Sequence, residues 1–251
     1  MNDTVSRFSN RVANYVKYRP GYPPEVLDLF KKQMGLTKKS VLADIGSGTG
    51  LSSRLFLENG NTVYGVEPNA TMREAAEEYL KAFPNFISHD GTAEKTNLDT
   101  ASIDFVIAAQ AFHWFDADKT RNEFRRILKP GGYVALIWNE RQLDSTEFLR
   151  EYELILKKFA NDYDKVRHEN IDQEKLGRFY GPDYKRARFS NQQVFDLEGL
   201  CGRVLSSSYM PSEDDPAFPA LEKELHELFA KHAENGRIKV FYDTNIYYKQ
   251  Y

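Results

Sequence analysis

The 251-residue sequence predicts a doubly wound α/β fold, and three observations carry that expectation. Five short apolar runs recur in order, at Val41–Ile45, Thr62–Val66, 86–88, Ile103–Ala109 and 133–138, each with the length of a strand. Between them lie Leu51–Glu58, 70–82 and 118–128, where apolar residues fall at helical spacing and charges lie between. A turn with three alternating glycines, Gly46, Gly48 and Gly50, joins the first run to the first of these helices. Strand and helix alternating in this way give right-handed crossovers and a parallel sheet with helices on both faces.

Each further element has its own local reason. Pro23-Pro24 opens a helical pattern carrying Val26, Leu27, Leu29 and Phe30, since proline is tolerated in a first helical turn, and Gly35 is a natural stop. Residues 144–160 place Phe148, Leu149, Tyr152, Ile155 and Phe159 on one side of a helix. At the C-terminal end, Ile238, Val240 and Tyr242 alternate with polar residues, Asp243-Thr244-Asn245 intervenes, and Ile246 and Tyr248 resume, which predicts a terminal hairpin over 236–251.

Composition narrows the function. Leu, Ile, Val and Phe make up about a quarter of the chain, above the roughly 20% boundary of disordered sequences. A formal net charge of −3 implies no broad surface for a nucleic-acid backbone, so no nucleic acid is expected as a partner. The single Cys201 cannot form an internal disulfide, which fits a reducing compartment and makes the cytoplasm the expected location. No apolar run approaches the roughly 20 residues of a membrane helix, and the polar start of the chain carries no leader pattern, so no membrane insertion is expected. Scattered histidines and one cysteine show no metal-ligand spacing, and no metal is expected.

The segment Asp44-Ile-Gly46-Ser47-Gly48-Thr-Gly50 is the most informative. Glycines let the backbone turn sharply and approach a ligand with no Cβ in the way. The dinucleotide fingerprint would need its third glycine at Leu51, and Asp44 would repel a pyrophosphate, so the loop suits a cationic ligand. The second strand ends at Val66-Glu67-Pro68-Asn69, putting a carboxylate at the sheet edge beside the loop, where it can accept two hydrogen bonds from a ribose diol.

These motifs resemble the class I S-adenosylmethionine-dependent methyltransferases of the type 11 group, similar to the ubiquinone/menaquinone-biosynthesis and trans-aconitate enzymes. The match covers roughly 41–140, with Leu128-Lys-Pro-Gly131-Gly132 leading into the fifth strand. The resemblance implies a Rossmann-like sheet of seven strands, mostly parallel with an antiparallel last strand, and S-adenosyl-L-methionine as cofactor. It further implies Asp44, Gly46, Ser47, Gly48, Gly50, Glu67 and Pro68 against the methionine and ribose portions, and Thr92-Ala93 near the adenine. Within one domain over 1–251, it implies an N-terminal cap segment (1–36), a cofactor-binding core (37–140) and the hairpin. Between them, 141–235 would form helices and a cover over an acceptor pocket.

On the acceptor side, Gln110-Ala-Phe112-His113-Trp114-Phe115-Asp116 follows the fourth strand. Gln110 and His113 are the candidate catalytic residues there, His113 because imidazole titrates near neutral pH and can take a proton from a hydroxyl acceptor, and Gln110 also as a cofactor contact. His89, His168, His226 and His232 lack such a setting. Upstream, Tyr15, Tyr18 and Arg19 surround a proline-glycine turn; in the family a Tyr or Arg there often meets the methionine carboxylate, and Arg19 has the matching fork. The amino-methylating signature of nucleic-acid enzymes is absent, which favours a small-molecule acceptor methylated on oxygen, carbon or a carboxylate by a monomer or homodimer. A cofactor-binding protein without turnover is the alternative, ahead of a nicotinamide-dependent oxidoreductase.

Overall fold

The computed structural model describes residues 17–161, 173–207 and 209–251; Tyr15 and His168 lie outside them. In chain order the elements are α1 (Pro24–Met34), β1 (Val41–Ile45), α2 (Leu51–Glu58), β2 (Thr62–Val66), α3 (Ala70–Tyr79), β3 (Phe86–His89) and β4 (Ile103–Ala109). A 3-10 turn at Phe112–Trp114 leads to α4 (Ala117–Ile127), β5 (Leu128–Arg141), α5 (Glu147–Phe159) and α6 (Gln173–Tyr180). The remainder is β6 (Lys185–Phe195), α7 (Leu197–Leu205), α8 (Phe218–His232) and β7 (Ile238–Gln250).

The seven strands form one sheet in the order β3-β2-β1-β4-β5-β7-β6. The first five are parallel, with Ile45 opposite Val66 and Ala109 opposite Ile137, so their carboxyl ends share one edge. β7 enters antiparallel between β5 and the edge strand β6: Gly131 and Gly132 bond Tyr251, and Gln142 bonds Phe241. This is the mostly parallel, Rossmann-like sheet with helices around it that the motifs imply.

Local chemistry sets the helix ends. Asn69, Asp116, Thr146 and Asp196 each accept backbone N–H bonds in the first turn of α3, α4, α5 and α7. Pro24 opens α1, and Gly35, at φ 74°, closes it.

The expected terminal hairpin is not formed. Asp243-Thr244-Asn245 continues β7 because Thr244 and Asn245 are buried with partners: the Thr244 hydroxyl donates to Asn139 Oδ1 at 2.6 Å, and Arg186 donates to Asn245 Oδ1 at 2.8 Å. The turn falls earlier, where Asn235 and Gly236 have φ of 51° and 69° and Glu234 pairs with Arg237. The segment 141–235, expected to be helical, also contains β6, whose alternately exposed residues and lysine and arginine content suit an edge strand.

The chain clusters into two compact units. One comprises the described residues of Gly21–Asn139, Asn170–Phe189 and Thr244–Tyr251. On one side of its sheet Ile45, Val106, Leu136, Phe124, Phe179 and Tyr247 pack together; on the other, Val26, Phe30, Phe56, Ile107 and Ile246 do. The second comprises the described residues of Met1–Pro20, Glu140–Glu169 and Ser190–Asp243, with Leu149, Tyr152, Leu200, Leu225 and Val240 in its core. Among the described residues, no helix is long and apolar enough to cross a membrane.

Arg141 and Glu153 form an ion pair at 2.5 Å inside the second unit, their side chains 4% and 7% exposed. Removing one member of such a pair leaves a buried charge, whereas replacing both with apolar residues removes two desolvation costs. Glu153→Ala is therefore expected to cost about 3–5 kcal/mol in urea unfolding, and Arg141→Met/Glu153→Leu to cost far less than the single change.

Candidate functional site

The glycine loop lies at the carboxyl end of β1, held against the end of β2. Gly46 N and Ser47 N both donate to the Val66 carbonyl, at 2.8 and 3.3 Å, and Gly50 N donates to Ser47 O at 2.9 Å. Gly46, Gly48 and Gly50 all have positive φ, at 67°, 54° and 82°, which explains why L side chains are excluded from these positions. The three glycines then differ. A Cβ on Gly46 would meet Ala111 Cβ at 2.7 Å, and one on Gly50 would meet Leu80 at 2.5 Å, so these two serve internal packing. A Cβ on Gly48 would meet nothing within 4 Å: this glycine faces open space.

Glu67 is tied to the same loop. Its Oε2 accepts from Gly48 N at 3.1 Å and its Oε1 from Asn69 N at 2.9 Å, so each oxygen keeps acceptor capacity. Burial raises its pKa above the ordinary carboxylate value, against the lowering effect of those two backbone donors. Behind it, Arg73 Nη1 bridges the Glu67 carbonyl at 2.7 Å and Asp90 Oδ1 at 2.9 Å, fixing the end of β2 to the segment after β3. There Thr92 and Lys95 pair their backbones in a tight turn, with Ala93 buried. Pro68 is exposed beside Glu67.

Asp44 is fully buried, and its Oδ2 accepts from the Ser52 and Ser53 hydroxyls at 2.6 and 2.7 Å, clamping β1 to the first turn of α2. Its Oδ1 has no partner among the described residues. Burial pushes the Asp44 carboxyl up to about 6 despite the two serines, and the charge on Glu67 adds to the rise.

Gln110, just past β4, has φ 55°, a left-handed conformation that a non-glycine residue holds only where its surroundings compel it. Its N donates to Ile137 O and its Nε2 to Asn139 O, both at 2.9 Å, tying it to the end of β5. Asn139 in turn donates to Gly21 O at 3.1 Å. His113 lies on the 3-10 turn, partly buried, with its ring centroid 4.5 Å from that of Trp114. Lys175 of α6 holds this turn, its Nζ donating to the Phe112 and His113 carbonyls at 3.1 and 3.2 Å.

The structure thus brings Gly46, Ser47, Gly48, Gly50 and Glu67 together at the ends of β1 and β2, with Asp44 bonded to α2 behind them and Arg73 linking the Glu67 carbonyl to Asp90, two residues before Thr92. Gln110 precedes Ala111, against which Gly46 packs. Tyr18 and Arg19 belong to the other unit: the Tyr18 hydroxyl donates to Glu198 at 3.0 Å, and Arg19 Nη2 donates to Ser206 O at 3.0 Å. Sequence reasoning passed over Ser52, Ser53, Arg73 and Asn139; Ser52-Ser53 directly after the glycines was the available signal for the first two. His232 pairs with Glu151 at 3.1 Å, a structural role. No group of three or more His, Cys, Asp or Glu suited to a metal occurs among the described residues.

A parallel sheet with an acidic, glycine-rich loop and a carboxylate at the second strand's end defines a nucleoside-binding class of α/β protein. The model of the methyltransferase domain family matches residues 43–136, which span these features. An uncharacterized methyltransferase-like protein of Schizosaccharomyces pombe is 30% identical over 247 residues, covering 96% of this chain and 93% of the relative. An uncharacterized methyltransferase of Mycobacterium tuberculosis is 36% identical over 165 residues; the match covers 66% of this chain and spans 63% of that relative. A solved candidate type II methyltransferase of Anaeromyxobacter dehalogenans shares the fold, with TM-score 0.70 and 20% identity over 93% of this chain and 98% of that one. The chain belongs to the class I S-adenosylmethionine-dependent methyltransferase family, in the type 11 group.

The pKa of Asp44 has a sign that can be read in stability. Folding raises it from its ordinary 3.8 to about 6, so the folded state binds the proton more tightly than the unfolded state. The contribution is fully present below pH 4 and is lost as pH rises through 6, amounting to about 3 kcal/mol at about 1.4 kcal/mol per pKa unit. Urea unfolding of the ligand-free protein from pH 4 to 7 should show wild type losing roughly that much relative to Asp44→Asn; parallel curves would contradict the buried, ionising carboxyl.

Proposed function

We propose that this chain binds S-adenosyl-L-methionine and transfers its methyl group to a small-molecule acceptor, at oxygen, carbon or a carboxylate. The observation that carries the reading is the open face of Gly48 beside the tethered Glu67 carboxylate. The residues fit that cofactor: Glu67 retains acceptor capacity for a ribose diol, the open Gly48 leaves room for close approach, and Asp44 and Glu67 make the loop acidic. The third glycine falls at Gly50, with Leu51 where the dinucleotide fingerprint needs a glycine, which argues against a nicotinamide dinucleotide.

The bound cofactor supplies an electrophilic methyl group on a sulfonium. The chain's own task is then to orient the acceptor in line, exclude water and, for a hydroxyl acceptor, take up its proton. Gln110, fixed by its strained backbone and its bond to Asn139, is suited to orientation. The His113 imidazole is suited to accept the proton, with Lys175 steadying the turn that carries it. Pro68, Thr92 and Ala93 are assigned to the ribose and adenine side of the cofactor. Tyr18 and Arg19 are assigned to the methionine carboxylate, and testing them means releasing their present contacts.

Calorimetry provides the first check. S-adenosylmethionine and S-adenosylhomocysteine should bind and NAD should not, while Glu67→Ala should lose about 1.5–3 kcal/mol of that affinity, on the order of 10- to 150-fold. Gly48→Val should abolish binding, through both the added side chain and the strain of a β-branched residue at positive φ; tight NAD binding with no response to either sulfur nucleoside would overturn the reading.

The second check separates binding from chemistry. His113→Ala is expected to keep S-adenosylhomocysteine affinity within a few-fold while cutting turnover by ~100-fold or more on a hydroxyl acceptor. On a carboxylate acceptor, which has no proton to give up, the same variant should lose far less. Cofactor binding without methyl release across hydroxyl, carboxyl and carbon acceptors would support the alternative of a binding protein without turnover.

A further inference from the structure

The second compact unit contains a buried arginine with which no carboxylate among the described residues pairs. Arg203, in the last turn of α7, is 8% exposed, and no carboxylate pairs with it among the described residues. Its neighbours are hydroxyls: Nε donates to the Tyr242 hydroxyl at 3.3 Å, and Nη1 donates to Ser207 Oγ at 3.0 Å and Ser206 Oγ at 3.4 Å. Tyr242 is itself held in place, donating to Gln193 Oε1 at 2.8 Å. Nη2 makes no hydrogen bond with a described residue. The same holds for the hydroxyl of Tyr152, a residue only 2% exposed that lies within electrostatic reach of Arg203.

A guanidinium is always charged, and burying one without a counter-ion is costly; the partial negative end of α7 offsets only part of that cost. The contrast with Arg141 in the same unit is direct. Arg141 has Glu153 at 2.5 Å, a carboxylate it shares with the exposed Lys157 at 3.4 Å, and its guanidinium lies 5.2 Å from the centre of the Tyr152 ring. Tyr152 therefore stands near one arginine paired with a carboxylate and one that has no carboxylate partner among the described residues.

We propose that Arg203, held in place by the Tyr242 hydroxyl, forms with the Tyr152 hydroxyl a binding subsite for the carboxylate of a small organic acid. One uncompensated positive charge calls for one negative charge: a carboxylate brings the buried group to neutrality, whereas a phosphate dianion would leave net charge in a desolvated place. The two donors of Nη2 match a carboxylate oxygen in a charge-assisted hydrogen bond, and the Tyr152 hydroxyl supplies a neutral donor for the second oxygen. This site stands whether or not the chain transfers methyl groups, because its readout is binding alone.

The test uses the full chain, labelled with nitrogen-15, titrated at constant ionic strength with formate, acetate and succinate, and with chloride and succinamide as controls. The Arg203 Nε–H resonance should shift saturably with at least one of the three acids and not with either control. Arg203→Met should unfold at the same or a higher temperature than wild type in buffer, since it removes an unpaired buried charge, but should bind the acid at least tenfold more weakly. Arg203→Lys should recover part of that loss, the charge being kept and the fork removed. An unmoved Nε resonance with all three acids, equal binding by Arg203→Met, or tighter binding of inorganic phosphate than of any carboxylate would each overturn the proposal. Where Arg203→Met fails to fold, the wild-type titration alone decides.

Discussion

The hydrogen bond from Gly48 N to Glu67 Oε2 is the contact around which the candidate site is organised. It joins two loops that the chain reaches only after a complete crossover, and it forms because β1 and β2 pair in parallel with Ile45 opposite Val66. That register puts the Val66 carbonyl under Gly46 and Ser47 and leaves Glu67 one residue beyond, level with Gly48. A side chain on Gly46 or Gly50 would press on Ala111 or Leu80 and disturb the loop that presents the Gly48 amide. The sheet's pairing, the glycines and the carboxylate are in this sense one device.

Holding that device together requires keeping two carboxylates close in a poorly solvated place. Asp44 raises the first turn of α2 toward the strand through Ser52 and Ser53, but its own burial and the charge on Glu67 work against its ionisation. Glu67 is likewise pushed upward by burial. The loop is therefore held in shape at a desolvation cost carried by both carboxyls. Gln110 carries a second such cost in its left-handed backbone, at the end of the strand next to β1.

The elements that sequence reasoning located share a physical trait. β1, β2, β4 and the middle of β5 are covered on both faces, so they read as unbroken apolar runs, and glycine and carboxylate at strand ends carry local signals. β6 is an edge strand in which Lys185, Arg186 and Gln192 are exposed, and its sequence is indistinguishable from a charged loop. Asp243-Thr244-Asn245 reads as a turn because the partners that bury it, Asn139 and Arg186, are remote in sequence. The same remoteness hid Asn139 and Arg73, whose roles depend on what lies across the sheet edge, whereas Glu67 was legible because its own strand places it.

The second unit shows the complementary lesson about buried charge. Arg141 and Arg203 are both nearly inaccessible, and both lie in the field of Tyr152, yet among the described residues a carboxylate pairs with only one of them. If arginine were present here merely to satisfy backbone or fill volume, Arg203 would be the poorer choice of residue, because an apolar side chain of similar length would fill the same space without desolvating a charge. Its serine and tyrosine neighbours orient the guanidinium without cancelling it, which is the arrangement expected of a group held ready for an anion rather than one paired within the fold.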